Sequence, residues 1–234
     1  SYDGHMAYSS WYDEDTITDN GLIVTVNKSG IVTNYANIVA GDWTHYGDKW
    51  YYYDADMNPY IGVKTINGVK YYFEWEGRLA TRTYEGIWVI TFDRQLIAYN
   101  QNGVVTDQQD IVGNKWIKVN NKWYYFDKNL NPYKGVQKVD GVEYFFWSDG
   151  QLATYDYDSI STATSNNYLV SYNKNGIVIE KVKIEGNKWI KFNNNWYYYD
   201  QDLYPYQGIH TIGDATYYFL SNGQLATSGF EGNI

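Results

Sequence analysis

Apolar and polar positions along this chain alternate in short aromatic runs broken by polar turns. The clearest run is Trp123-Tyr124-Tyr125-Phe126, followed by the polar stretch Asp127-Lys128-Asn129-Leu130-Asn131 and then Pro132-Tyr133-Lys134-Gly135-Val136. It reads as a strand, a tight turn and a short return strand closed by glycine. The same phrase stands 73 residues earlier, as Trp50 to Asp54 with Pro59-Tyr60-Ile61-Gly62-Val63, and 73 residues later, as Trp196 to Asp200 with Pro205-Tyr206-Gln207-Gly208-Ile209. All three prolines of the chain occupy this one position. A period of that length predicts a repeat array rather than a single globular domain.

Each period carries two further hairpin signals. One begins at Leu22-Ile23-Val24 with the turn Asn27 to Gly30, and returns at Leu96 with Asn102-Gly103 and at Leu169 with Asn175-Gly176. The other is Tyr71-Tyr72-Phe73 with a turn ending at Gly77, returning as Tyr144-Phe145-Phe146 with Asp149-Gly150 and Tyr217-Tyr218-Phe219 with Asn222-Gly223. Aromatic and β-branched runs bounded by Asn-Gly or Asp-Gly are strong hairpin signals. Nine hairpins in three triples follow. Additional short turns at Gly47-Asp48, Asn120-Asn121 and Asn193-Asn194 link Trp43, Trp116 and Trp189 to the next aromatic strand, and Asn67-Gly68 and Asp140-Gly141 precede the third hairpin. No stretch holds a 3.6-residue apolar period, so helix is expected to be nearly absent. The predicted fold is all-β, a repeat array of β-hairpins forming a β-solenoid; the alternative is three tandem SH3-like barrels. The units are 21–93, 94–166 and 167–234. Residues 7–20 read as the tail of a preceding repeat, cut from a longer protein, and residues 1–6 (SYDGHM) as a cloning scar.

Composition narrows the function. Aromatic residues make up 20% of the chain, with 28 Tyr and 10 Trp. Such rings pair a large apolar body with a polar edge, which suits half-exposed surfaces. There is no cysteine, so neither a disulfide framework nor a thiolate metal site is available. A net charge of −9 excludes nucleic acid, whose phosphates need a basic patch, and disfavours anionic lipid. No apolar run approaches the ~18 residues of a membrane span. A neutral polysaccharide fits what remains.

Strand parity sends Trp50, Tyr52 and Asp54 to one face and Tyr51 and Tyr53 to the other. One face is expected to build the core, while the other presents flat rings to the C–H faces of pyranose sugars. Trp50, Trp123 and Trp196 fit either role, as do Trp43, Trp116 and Trp189 just before a turn. Tyr60, Tyr133 and Tyr206, rigid beside proline and expected to be exposed, are stronger ligand candidates, with Lys134 and Gln207 beside them to bind hydroxyls. Trp75 and Trp147 sit inside turns, where the third unit has Leu220, and suit surface contact. One ring contact is weak, but three sites on one polymer gain through effective concentration. His45 and His210 are not repeated and suggest no catalysis, and His5 lies in the scar. The turns Asp54/Asp56, Asp127/Asn129 and Asp200/Asp202 lack the glycine and distal glutamate of a calcium loop. A shallow repeated surface also lacks the enclosed pocket of a glycosidase. No cofactor, metal or catalytic residue is predicted.

The pattern Trp-Tyr-Tyr-Phe-Asp-x-x-Leu, followed by Tyr-Phe-Phe-x-x-Asp-Gly-x-Leu-Ala-Thr, resembles the cell-wall-binding repeat superfamily, across nearly all of the chain after Asn20. That superfamily includes choline-binding repeats, clostridial toxin repeats and the glucan-binding repeats of glucansucrases. The resemblance implies a hairpin solenoid, secretion or surface display by a Gram-positive bacterium, and non-catalytic binding of cell-wall polymer or carbohydrate. Choline-binding repeats carry a Trp after the closing glycine, where this chain has Val63, Val136 and Ile209. It also has Met57, Leu130 and Leu203 in place of a turn glycine. The long triple-hairpin period is more similar to the glucan-binding modules, which implies an α-glucan such as dextran. The alternative is a structural spacer or wall-anchoring array.

Overall fold

The computed structural model describes residues 14–227. The expected scar at 1–6, with His5, and the lead-in residues 7–13 lie outside the described residues. Every regular element among the described residues is a strand. In the first period these are β1 (Glu14–Asp19), β2 (Leu22–Asn27), β3 (Val32–Asn37), β4 (Trp43–Tyr46), β5 (Lys49–Tyr52), β6 (Gly62–Ile66) and β7 (Val69–Phe73). The second holds β8 (Ile87–Phe92), β9 (Gln95–Asn100), β10 (Val105–Asp110), β11 (Lys115–Val119), β12 (Lys122–Phe126), β13 (Gly135–Val139) and β14 (Val142–Phe146). The third holds β15 (Ile160–Ser165), β16 (Tyr168–Asn173), β17 (Val178–Lys183), β18 (Lys188–Phe192), β19 (Asn195–Tyr199), β20 (Gly208–Ile212) and β21 (Ala215–Phe219).

Each period folds as one three-stranded antiparallel sheet followed by two hairpins. Only strands adjacent in sequence pair within these sheets. That corrects the tandem-barrel alternative: a barrel needs its sheet closed on itself, and none of these sheets closes. The chain divides into two compact units, residues 1–111 with 118–121 and residues 112–117 with 122–234.

Two kinds of loop alternate along the chain. Two-residue turns join strands within a sheet, many with both residues left-handed, such as Asn120 and Asn121 (φ 46° and 62°) and Asp93 and Arg94 (45° and 61°). Those angles match the right-handed twist of the flanking strands. Five-residue loops follow, each with a left-handed fourth residue: Gly30, Gly77, Gly103, Gly150, Gly176 and Gly223, but Met57, Leu130 and Leu203 in the middle loop of each period. In several loops the first residue is Asn or Asp, whose side chain accepts backbone N–H groups two and four residues on, as Asp127 does from Asn129 and Asn131. This local bonding is why Asn and Asp favour turns.

The expected hairpin through each proline is therefore reduced. Pro59, Pro132 and Pro205 each make one antiparallel bridge, to Tyr53, Phe126 and Tyr199. Proline has no N–H to extend a ladder, so the aromatic strands β5, β12 and β19 pair fully with β4, β11 and β18 instead. The short turns Gly47-Asp48, Asn120-Asn121 and Asn193-Asn194 are the true hairpin loops.

Within each compact unit a second hairpin meets the next three-stranded sheet by the same contacts. Tyr72 N–H donates to the Gly103 carbonyl at 2.9 Å, and Phe145 N–H to that of Gly176 at 2.8 Å. Tyr72 packs on Tyr99 at 5.3 Å between centroids, and Phe145 on Tyr172 at 4.8 Å. A Cβ added to Gly103 or Gly176 would lie 2.6 Å from Leu79 or Leu152, so glycine is required there by contact as well as by φ. Among the described residues no sheet covers β20–β21 in this way, and Tyr218 is 54% exposed.

Candidate functional site

Strand parity holds in the aromatic strands. Tyr51, Tyr53, Tyr197 and Tyr199 are buried, whereas Trp50, Trp123 and Trp196 on the opposite face are 42%, 38% and 39% exposed. Burial pushes the hydroxyl pKa of Tyr51, Tyr72 and Tyr172 up to about 12, because a phenolate would lose its hydration. The hydroxyls of Tyr53 and Tyr199 are 3.3 and 3.1 Å from those of Thr18 and Thr164.

On the half-exposed face the same five rings assemble three times. Trp43 stands opposite Tyr52 in the β4–β5 register, with His45 opposite Trp50. The Trp43 ring meets Trp50 at 6.4 Å, Tyr52 at 5.2 Å, Tyr71 at 5.2 Å and Phe73 at 5.8 Å. Trp116 meets Trp123, Tyr125, Tyr144 and Phe146 at 6.3, 5.2, 5.1 and 5.8 Å. Trp189 meets Trp196, Tyr198, Tyr217 and Phe219 at 6.2, 5.3, 5.0 and 5.8 Å. The contacts are mostly edge-to-face, the arrangement ring quadrupoles favour. Backbone bonds fix the frame: Leu79, Leu152 and Leu225 N–H each donate at 2.7 Å to the carbonyls of Trp50, Trp123 and Trp196. In the third copy Trp189, Trp196, Tyr217 and Leu225 line an apolar hollow of about 310 Å³. Lys191 Nζ lies 5.8 Å from the Trp196 ring centroid, and His45 lies 4.5 Å from Trp50.

The proline-linked tyrosines are less open than their sequence suggests. Tyr60, Tyr133 and Tyr206 are only partly exposed, wedged between Tyr52 and Phe73, Tyr125 and Phe146, and Tyr198 and Phe219 at 4.9–6.1 Å. The single proline bridge turns each ring back onto its own aromatic strand. Beside them, Lys134 is exposed and shares a pocket of about 380 Å³ with Trp147. Gln207 donates to the Ser221 carbonyl at 2.8 Å. His210 stacks on Tyr206 at 4.0 Å, which makes it part of the packing.

Trp75 and Trp147 do not share a slot. In the 73-residue register Trp147 matches Glu74 and Leu220, while Trp75 matches Ser148 and Ser221. Trp147 packs on Phe145 at 5.1 Å and Tyr172 at 6.0 Å. Glu74 instead receives hydrogen bonds from Arg78 at 2.5 Å and Arg82 at 2.9 Å. Burial opposes its ionisation, but the two guanidinium groups outweigh that and hold its carboxyl below the usual range. Trp75 is 74% exposed at its turn tip.

The Asp turns are engaged locally. Asp54 accepts from the N–H groups of Asn58 and Asp56, and the Asn58 bond above all holds its carboxyl below the usual range. Among the described residues no cluster of three metal-ligating side chains occurs, and no helix is long and apolar enough to cross a membrane.

This is a repeated aromatic surface built on hairpins, and the comparisons with known proteins agree with that class. Residues 114–129, 187–202 and 210–225 match the family model described as "Putative cell wall binding repeat". Glucosyltransferase-S of Streptococcus mutans is 27% identical over 183 residues, 78% of this chain and 11% of that protein. Glucosyltransferase-I of Streptococcus downei is 24% identical, over 99% of this chain and 17% of that protein. The chain thus spans under a fifth of the length of these relatives. Among solved structures, alternansucrase in complex with isomaltononaose is 21% identical, over 92% of this chain and 16% of that one, with a TM-score of 0.29.

Proposed function

We propose that the chain is a non-catalytic carbohydrate-binding module that holds an α-glucan such as dextran on repeated aromatic sites. One observation carries this reading: the same five-ring cluster stands three times, each time with one tryptophan, Trp50, Trp123 or Trp196, about 40% exposed. Were the rings only core, a half-exposed tryptophan at each repeat would have no reason to persist at the rim. Ring faces supply stacking for pyranoses, and the chain's negative charge suits a neutral ligand. The streptococcal glucosyltransferase relatives make glucan the first polymer to try, with a secreted or cell-surface setting in a Gram-positive bacterium. The repeats start at the first strand of each three-stranded sheet, at residues 14, 87 and 160, their sheets stacked in sequence order as a β-solenoid. The repeated hairpin-to-sheet junctions within each compact unit support that stacking. In the site, the central Trp43, Trp116 and Trp189 support the rim tryptophans, and Tyr60, Tyr133 and Tyr206 pack on the Tyr and Phe rings of each cluster.

Affinity electrophoresis through dextran-containing gels tests the reading. The wild-type chain should be retarded, and replacement of Trp50, Trp123 or Trp196 singly by Ala should reduce retardation while far-ultraviolet circular dichroism stays unchanged. Unretarded wild type would leave the second reading, a structural or wall-anchoring array.

A further inference from the structure

We infer that the groove beside Trp75 is a separate carbohydrate subsite, present in the first repeat only, for a neutral oligosaccharide of the polymer proposed above; it rests on that reading. Between the β1–β2 turn, the loop 54–58 and the tip of the loop 74–78 lies an open groove of about 790 Å³. That is the size range of pockets that take small ligands. Trp75 stands at its side and Tyr51 forms part of its floor. The loop geometry explains why Trp75 can do this. It is the second residue of a loop closed by Gly77 N–H donating to the Glu74 carbonyl at 2.8 Å, a turn whose tip leaves the side chain facing solvent. A tryptophan left 74% exposed at this tip contributes little packing to the fold.

The polar lining has the complementary chemistry. The Asp56 side chain is exposed and makes no hydrogen bond or ion pair among the described residues, and the same is true of the Thr16 hydroxyl and the Trp75 indole N–H. Asp19 is bonded to Asn20 at 2.9 Å, and Glu76 is paired to Arg78 at 3.3 Å, so each retains acceptor capacity. A ring face flanked by carboxylates and amides fits a pyranose whose hydroxyls donate. The same carboxylates, Asp19, Asp56 and Glu76, repel a phosphorylated or sulfated polymer. The site is confined to one repeat because Ser148 and Ser221 stand where Trp75 does. It differs from the five-ring clusters in its three carboxylates, Asp19, Asp56 and Glu76.

Titration calorimetry with isomaltotetraose, on the whole chain, tests the assignment. Loss of one stacking ring is worth about 5- to 150-fold in affinity by analogy with base stacking, and Trp75→Ala should lower the affinity of one site by the low end of that range. Trp75→Phe should restore most of it, and Asp56→Asn should weaken binding without touching the ring. Wild-type affinity should persist with neutral dextran and vanish with dextran sulfate. Equal binding by wild type and Trp75→Ala overturns the groove and leaves the repeated-site reading standing. Absence of wild-type binding overturns both, and tight binding of dextran sulfate overturns the charge argument for this groove.

Discussion

Met57, Leu130 and Leu203 occupy left-handed backbone that glycine fills in the other six loops of the same kind (φ 63°, 66° and 67°). A left-handed residue with a Cβ costs roughly 1–2 kcal/mol. Replacing it by glycine relieves that strain but adds unfolded-state freedom of about 0.5–1 kcal/mol. What remains depends on the side chain. Met57 is 43% exposed, so little packing is lost and Met57→Gly should stabilise by about 0.5–1 kcal/mol. Leu203 packs on the buried cluster that contains Leu169, Ile184 and Tyr199. Removing a half-buried leucine there costs about 2 kcal/mol, so Leu203→Gly should destabilise by about 1 kcal/mol net. For a chain of this size 1 kcal/mol moves the melting temperature by about 2–4 °C. Thermal melts followed by near-ultraviolet circular dichroism, in the absence of sugar, should therefore shift upward for one variant and downward for the other. Shifts of the same sign would refute the division between backbone strain and side-chain packing.

Two further predictions follow from the same structure. Trp189→Ala removes a ring with four aromatic partners and should cost about 3–5 kcal/mol, whereas Trp196→Ala, 39% exposed, should cost about half that in chemical denaturation. Equal losses would mean that Trp196 is as structural as Trp189. Alkaline unfolding should set in between pH 10 and 12. Tyr51, Tyr72 and Tyr172 are raised to about 12 when folded but ionise near 10 when unfolded, so the folded state holds more protons in that window and stability falls as pH rises. Exposed tyrosines such as Tyr84 and Tyr204 ionise in this window in any case, so the contradicting result is complete ionisation of all 28 tyrosines at 295 nm, reached before pH 12 without loss of structure.

How much of this was legible in the sequence varies by element. The 73-residue period, the all-β character and the positions of the five-residue loops could be read directly, because Asn, Asp and Gly report local φ and local hydrogen bonds. The strands β1, β8 and β15 were less evenly legible. Asn20-Gly21 is a hairpin signal that announces β1, and Asn166-Asn167 a weaker one for β15, but nothing in Asp93-Arg94 announces the two left-handed residues that follow β8. The role of proline was visible as a rigid turn, but its missing N–H, which limits the return to a single bridge, had the larger consequence. Tyr133 looked exposed because it stands beside a proline at a turn, and that position does not tell that the ring folds back onto Tyr125 and Phe146. The distinction between Trp75 and Trp147 was available by counting, since residue 147 less one period is Glu74.

An internal repeat supplies its own comparison of what the fold holds fixed and what it leaves variable. Trp43, Trp116 and Trp189 hold one identity and one geometry, to within 0.2 Å in every equivalent centroid distance. Their environment is completed by other rings of the same repeat, so their constancy follows from packing. The first position of the third loop holds Glu74, Trp147 or Leu220. In the first repeat it anchors two arginines, and Arg82 also donates to the Tyr99 hydroxyl at 2.5 Å; in the second it stacks on Phe145 and Tyr172. Two chemistries thus secure the same junction, which shows that the junction requires contact there but not a particular residue. The next position, at the loop tip, carries no such duty, and there Trp75 gives way to Ser148 and Ser221. A large ring at a site without a packing role is the change that a ligand, rather than the fold, explains. Differences in sugar affinity between repeats should therefore follow the loop tips, while loss of the central tryptophans should reduce stability and binding together.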